Sequence, residues 1–280
     1  MVWHWIIVKS VTHIAPFRTG ESGSSACTIR YMQANPHPPL SLERLPPVFR
    51  QRLQSMYAGE IQQGSEGPVQ IDNRTRISEA QGMWMHDTVQ RLKPARSLEI
   101  GLAYGFSTLY ILAAMSQTGT GQHLALDPFQ FADKYRGVGS RHAEHVGMSS
   151  SFQLLQEFSS VALAKFAAQK DSFEFIYIDG NHRFDDVVVD FTLSADVCPV
   201  GGHIILDDLW MPAIQTAVSW IRTNRVDFRE VPTPVANIAQ FERIDRDPRP
   251  WDHYVKFSVA AARPSIGARI ARRLRRMLAS

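Results

Sequence analysis

The chain has 280 residues, 44% of them apolar and 20% charged, which is ordinary for a globular protein and enough for one sizeable α/β domain with additions. Its two cysteines, Cys27 and Cys198, lie far apart, so a disulfide framework is not expected and a reducing, cytoplasmic setting is. The formal net charge of +3 comes from the tail: residues 263–280 hold six arginines and no acid, leaving −3 for the remainder, so the basic balance implies a local tail function and no nucleic-acid partner.

Residues 1–40 read as an extension that buries little, Gly/Ser-rich over Thr19–Ala26 and proline-rich over Asn35–Pro39. The apolar run Val2–Val8 is broken by His4 and lacks a charged leader and a cleavage site, so no signal peptide is expected. No stretch is apolar and long enough to span a bilayer. Residues 41–95 read as a helical cap, with the pattern helical from about Leu42 to Leu92; Ser78 caps a helix that Pro94 ends.

After Pro94 the period changes. Strands are predicted at Ser97–Ile100, Gln122–Leu126, Phe152–Gln156, Phe173–Ile178, His203–Leu206, Asp227–Val231 and Ile238–Ile244, with a further short one at Tyr254–Val259. Helices are predicted at Ser107–Met115, Val161–Gln169, Asp186–Val197 and Ile214–Thr223. This alternation implies right-handed crossovers and a Rossmann-like, doubly wound, mostly parallel α/β sheet over residues 96–260.

Chemistry gathers at three places. Leu98–Ser107 (LEIGLAYGFS) puts Gly101 and Gly105 at a strand-to-helix turn, where backbone can approach a ligand. Asp127 ends the next strand at the place where such sheets hold a ribose-binding acid. Ala103 occupies the position of the middle glycine that a pyrophosphate needs, and no P-loop lysine follows; a ligand with a ribose but no phosphates fits better, and S-adenosylmethionine is such a ligand. Ile178-Asp179-Gly180-Asn181-His182 leaves one buried strand, and Leu206-Asp207-Asp208 leaves the next. Parallel neighbours lie roughly 5 Å apart, so three carboxylates and an imidazole should meet on the rim of the glycine turn. Crowded carboxylates raise one another's pKa, and Mg²⁺ or Mn²⁺ would relieve this and acidify a substrate hydroxyl. His182 could then accept the proton, as could any imidazole near its usual pKa. Asp207 or Asp208 can equally be a helix N-cap, and His182 a plain turn residue.

Four blocks, LEIGLAYGFST (98–108), LALDPF (124–129), FEFIYIDGNHRFDDVVVDF (173–191) and GGHIILDD (201–208), resemble class I S-adenosylmethionine-dependent methyltransferases. The likeness is to the small-molecule O-methyltransferase branch that includes catechol and macrolide-sugar enzymes. It spans about Ile77 to Phe257. The resemblance implies that Glu99, Gly101 and Ser107 line the methionine end, with Ala103, Tyr104 and Gly105 in the same turn. Asp127 would bind the ribose beside Pro128, and Glu157, Phe158 and Ser159 are candidates for the adenosine. Ile77 and Ser78 would reach the cofactor from the entry helix. Asp179, Asp207 and Asp208 would hold the metal, and His182 would be the base, as in the macrolide-sugar type.

His142 and His145 read as surface residues, and Arg136 and Arg141 as candidates to meet an anionic acceptor. Trp210 and Met211 could wall the acceptor pocket, whereas Trp220 belongs to the core. Residues 261–280 read as a basic amphipathic tail whose stretch Ile266–Leu278 would put Ile266, Ile270, Leu274, Met277 and Leu278 on one helical face, suited to an anionic membrane surface or a protein partner, or else a solvated terminal helix. The expected activity is O-methylation of a sugar or other small-molecule hydroxyl, and the chain could work as a homo-oligomer. The rivals are a catalytically silent S-adenosylmethionine-binding module and an NAD-type dehydrogenase, the latter disfavoured by Ala103.

Overall fold

The computed structural model describes residues 41–259. The expected extension at 1–40 and the basic tail at 261–280 lie outside the described residues. A short 3₁₀ turn at Leu42–Arg44 leads into α1 (Pro47–Tyr57), which begins with proline at its first position, where a missing N–H costs nothing. A hairpin of β1 (Gln62–Gly64) and β2 (Gly67–Val69) follows. The helical reading of Leu42–Leu92 is corrected here: Gly59, Gly64, Gly67 and Pro68 break the helix, and the chain turns back on itself instead. Helix α2 (Glu79–Leu92) starts at Ser78 with a reciprocal capping box to Gln81 and stops at Lys93, left-handed with φ 47°, before Pro94.

The main sheet begins with β3 (Arg96–Ile100), then α3 (Phe106–Thr118), β4 (Gln122–Leu126), α4 (Val138–His145), β5 (Phe152–Leu155) and α5 (Ser159–Gln169). It continues with β6 (Phe175–Ile178), α6 (Phe184–Val197), β7 (His203–Leu206), α7 (Pro212–Asn224), β8 (Phe228–Val231) and β9 (Ala239–Arg243). The seven strands run in the order β5-β4-β3-β6-β7-β9-β8, parallel except for β9, which is antiparallel to both neighbours. Tyr254–Val259 forms no strand; beyond β9 the chain holds to α7 through Asn224, whose side chain bonds the main chain of Val255.

The sheet separates two apolar cores, and β6 shows how. Phe175 and Tyr177 face the layer containing α1–α4, while Ile176 and Ile178 face α5–α7. A strand buried on both faces needs an unbroken apolar run, and FIYI supplies it. Under the first layer, Gly82 of α2 sits against the ring of the fully buried Tyr110 of α3. From β3 the chain winds outward to β5 and then returns to β6 on the other side of β3. This reversal opens a crevice beyond the carboxyl ends of β3, β4 and β6.

Candidate active site

The crevice is a cavity of about 520 Å³, a size typical of small-molecule sites. Its floor is the turn after β3. Gly101 has φ 92°, and a Cβ there would stand 2.2 Å from the Asp179 carbonyl oxygen, so no other residue fits. Ala103 is also left-handed (φ 48°), an unusual conformation for a residue with a side chain. It is held there by its N–H, which donates to Asp127 Oδ2 at 2.9 Å. Asp127, at the end of β4, accepts on Oδ1 from the Phe129 N–H at 2.8 Å, and Gln130 Nε2 lies 3.4 Å from Oδ2. Gln130 also bonds the Ala103 carbonyl and the Gly139 N–H, tying the turn to α4.

Gly101, Ala103, Asp127, Pro128, Phe158, Ser159 and Asp179 all line the cavity. Glu99, Tyr104, Gly105, Ser107 and Glu157 lie outside its lining. Glu99 is fully buried beneath the turn, where its carboxylate accepts from Ser107, Thr108 and, at 3.1 Å, His123 Nε2. It thereby anchors the positive end of α3 and the neighbouring strand to β3. Gly105 (φ 78°) opens α3, and the Tyr104 carbonyl accepts from His142 Nε2 at 2.8 Å. His142 is therefore not a surface residue: it is completely buried, and burial with the nearby Arg52 charge holds its pKa down at about 3. His145 is exposed as expected. Glu157 pairs with Lys165 at the protein surface. Ile77 is buried, and Ser78 borders a different hollow beside Tyr57, Arg76 and Gln81.

At the cavity edge, His182 Nε2 lies 2.8 Å from Asp208 Oδ2 and 3.4 Å from Asp179 Oδ1. One ligand-type atom from each of the three falls within 4.8 Å of the others. The two carboxylates push the His182 pKa up to about 10, while desolvation raises that of Asp179 to about 7 against the pull of His182. Asp208 is left-handed (φ 57°) and its carboxyl is held below the usual range, first by His182, then also by Trp210 Nε1 (2.7 Å) and Asn237 Nδ2 (3.3 Å).

Asp207 does not join this cluster. Its Oδ2 accepts from the Tyr177 hydroxyl, and its Oδ1 from Gln81 Nε2 (3.1 Å), Asn237 Nδ2 (3.2 Å) and the Asp208 N–H (2.7 Å). The group that geometry assembles is thus Asp179, His182 and Asp208, with Asp207 as the buried peg that sets Asp208. Neither aspartate caps α7, whose N-cap is Met211. Trp210 is 67% exposed beside Asp208, and Trp220 is half-buried against Phe191.

Residues 98–209 match a family model described as a methyltransferase domain. The chain carries a methyltransferase domain. Among solved structures, the fold is similar to the methyltransferase PaMTH1 of Podospora anserina bound to SAH (17% identity, 72% of this chain and 89% of that one, TM-score 0.57). It is also similar to the O-methyltransferase TomG of Streptomyces achromogenes, involved in tomaymycin synthesis and solved with SAM (13% identity, 71% and 91%, TM-score 0.50). These likenesses establish the Rossmann-like methyltransferase fold. No curated protein matches the chain. Among the described residues, no helix is long and apolar enough to cross a membrane.

Within the methyltransferase domain, the structure adds residues that sequence reasoning missed. Asp190 of α6 faces the cavity, accepts from Ser159 Oγ at 2.6 Å, and is pushed up to about 6 by burial. A signal existed: in FDDVVVDFTLS the acid falls on the same helical face as Val187, Phe191 and Ser194. Phe129 and Phe158 meet edge to face at the mouth, 5.8 Å between ring centres. Asn237 arrives from the β8–β9 connection, and no local pattern pointed to it.

Proposed function

We propose that this domain transfers the methyl group of S-adenosylmethionine to a hydroxyl of a sugar or another small molecule, with a divalent cation, Mg²⁺ or Mn²⁺, assisting. Asp179 is the observation that carries the reading. Its carboxylate borders the cofactor-sized cavity on one side and belongs to the His182–Asp208 cluster on the other. The donor is supported by the two relatives above, one bound to SAH and the other to SAM, and the oxygen acceptor by the name of the second.

The residues fit a cation. Two carboxylates and an imidazole within 4.8 Å form a hard, anionic donor set, and the imidazole rests between the acids where positive charge is favoured. Asp179 and Asp208 would hold the ion. When bound, it would take the acceptor oxygen as a Lewis acid and lower the pKa of the hydroxyl. Asp127 would accept from the ribose hydroxyls, and Gly101 lets the turn pass close to the ligand. The raised pKa of His182 comes from the charge of Asp179 and Asp208; with that charge neutralised the ring would be neutral, and its Nε2, which faces both carboxylates, would receive the acceptor's proton. Asp207 holds Asp208 in its left-handed conformation. The walls then bring methyl donor and acceptor into contact, which is the largest gain available to a direct transfer.

Calorimetric titration with S-adenosylmethionine, with NAD as control, tests the donor; S-adenosylhomocysteine formation across a panel of hydroxyl compounds tests the chemistry. We expect binding of the first ligand only, and turnover that EDTA suppresses and Mg²⁺ restores. Absence of S-adenosylmethionine binding would sink the reading, and full activity after thorough chelation would remove the cation from it. Binding without turnover on any acceptor would favour the silent module.

A further inference from the structure

We propose that the groove between α1 and α4 is an anion site for a phosphate group, free or as a small phosphomonoester, with Arg52 as its anchor. The groove holds about 270 Å³ and is lined by Val48, Gln51, Arg52 and Ser55 of α1 together with His145 and Val146 at the end of α4. It is separate from the cofactor cavity and shares no lining residue with it.

Arg52 is half-buried, yet among the described residues no carboxylate reaches it. Its two partners are imidazoles: Nε donates to His142 Nδ1 at 3.1 Å, and Nη2 donates to His145 Nδ1 at 3.0 Å. A guanidinium only donates, so each ring must accept on Nδ1 and carry its proton on Nε2. His142 then donates through Nε2 to the Tyr104 carbonyl. Both rings are thus neutral acceptors, and they leave the arginine's charge uncompensated. Arg141 adds repulsion, with Glu144 as its own partner at 3.5 Å. The nearby acid Glu60 is taken by the Ser55 hydroxyl, which also accepts from Gln62.

A partly desolvated cation without a counter-charge is costly unless something supplies one. Among the described residues, Arg52 Nη1 and the second N–H of Nη2 have no partner, a pair of donors in the fork that phosphate oxygens accept. The two histidines fix the plane of this fork in advance, so little side-chain entropy is lost on binding. His145 is exposed and lines the groove, and its Nε2–H, which Arg52 does not use, can add a further donor.

The test is titration of the full chain with inorganic phosphate and, separately, glycerol 3-phosphate, at constant ionic strength set with chloride. Binding is read by calorimetry and by ³¹P line broadening. We expect one saturable site per chain. Arg52→Gln should weaken it by about tenfold or more, the loss of one charge-assisted contact. His145→Ala, at an exposed position, should weaken it by a smaller factor and covers the case in which Arg52→Gln fails to fold. Saturation by inorganic phosphate identifies the free ion as sufficient, and saturation by glycerol 3-phosphate alone identifies an ester. No saturable binding of either probe, or binding that both variants leave unchanged, overturns the proposal.

Discussion

Replacing Asp127 by asparagine keeps the shape of the side chain and turns one of its acceptors into a donor. In the native protein, Oδ2 accepts from the Ala103 N–H at 2.9 Å and Oδ1 from the Phe129 N–H at 2.8 Å. An amide can turn its oxygen to only one of these, so the other N–H faces an NH₂ group. Asp127 is 6% exposed, so water cannot readily replace the lost acceptor. A buried donor left without a partner costs about 1–3 kcal/mol. On the proposed reading a bound ribose would also lose a charged acceptor, about 1.5–3 kcal/mol, which is roughly ten- to a hundredfold in affinity. Asp127→Asn should therefore lower unfolding free energy in urea by about 1–3 kcal/mol and weaken calorimetric binding of S-adenosylhomocysteine by about tenfold or more. Wild-type affinity in a correctly folded Asp127→Asn protein would refute the ribose role. Unchanged stability would refute the claim that this carboxylate pins the turn after β3.

His182→Ala should leave S-adenosylhomocysteine affinity intact, since the ring does not line the main cavity, and lower turnover by about 10²- to 10⁴-fold; unchanged turnover removes it as the base. Gly82→Ala sets two effects against each other. Alanine gains about 0.5–1 kcal/mol in a helix, but its Cβ would stand 2.1 Å from the Tyr110 ring, and overpacking costs about 1–3 kcal/mol. The ring is fully buried and cannot swing away, so a net loss in urea unfolding is expected, and a gain would show that α2 and α3 separate easily. Asp190 predicts a pH effect. Its pKa is raised to about 6 from 3.8, so its contribution to stability is fully present below pH 3.8 and is lost as pH rises through 6. Relative to Asp190→Asn, the wild type should lose about 3 kcal/mol between pH 3.5 and 7; parallel stability profiles for the two proteins would contradict it.

What could be read from residues alone was whatever depended on neighbours in sequence. The strands at 122–126 and 203–206 fall where their apolar runs put them. The Ser78 cap and the stop before Pro94 depend on side chains three residues apart or fewer. Asp127 and Asp179 emerge at the cavity because the end of a parallel strand locates whatever follows it. Longer-range partners were not legible. Nothing adjacent to Asp207 reveals that Gln81, Tyr177 and Asn237, from three distant segments, will consume its oxygens. For the same reason His142 read as a surface residue: its burial depends on α1 and on the Tyr104 carbonyl. The hairpin at 62–69 is a different case, since its glycines and proline are visible in the sequence and outweigh the helical period around them.

The glycine turn and the Asp179–His182 motif look like separate signals in the sequence, yet physically they are one unit. The Asp179 N–H donates to the Ile100 carbonyl at 2.9 Å, and its own carbonyl oxygen occupies the space where a side chain on residue 101 would go. The same residue places its carboxylate in the cluster with His182 and Asp208. A shift of the turn after β3 must therefore move the acid at the end of β6, and the reverse holds as well. Transfer of a methyl group between two bound molecules depends on their separation to within a fraction of an ångström, because the acceleration comes from contact and alignment. On the proposed reading, joining the floor of the cavity to the acid cluster through a single residue would keep that separation constant without a long chain of intermediates.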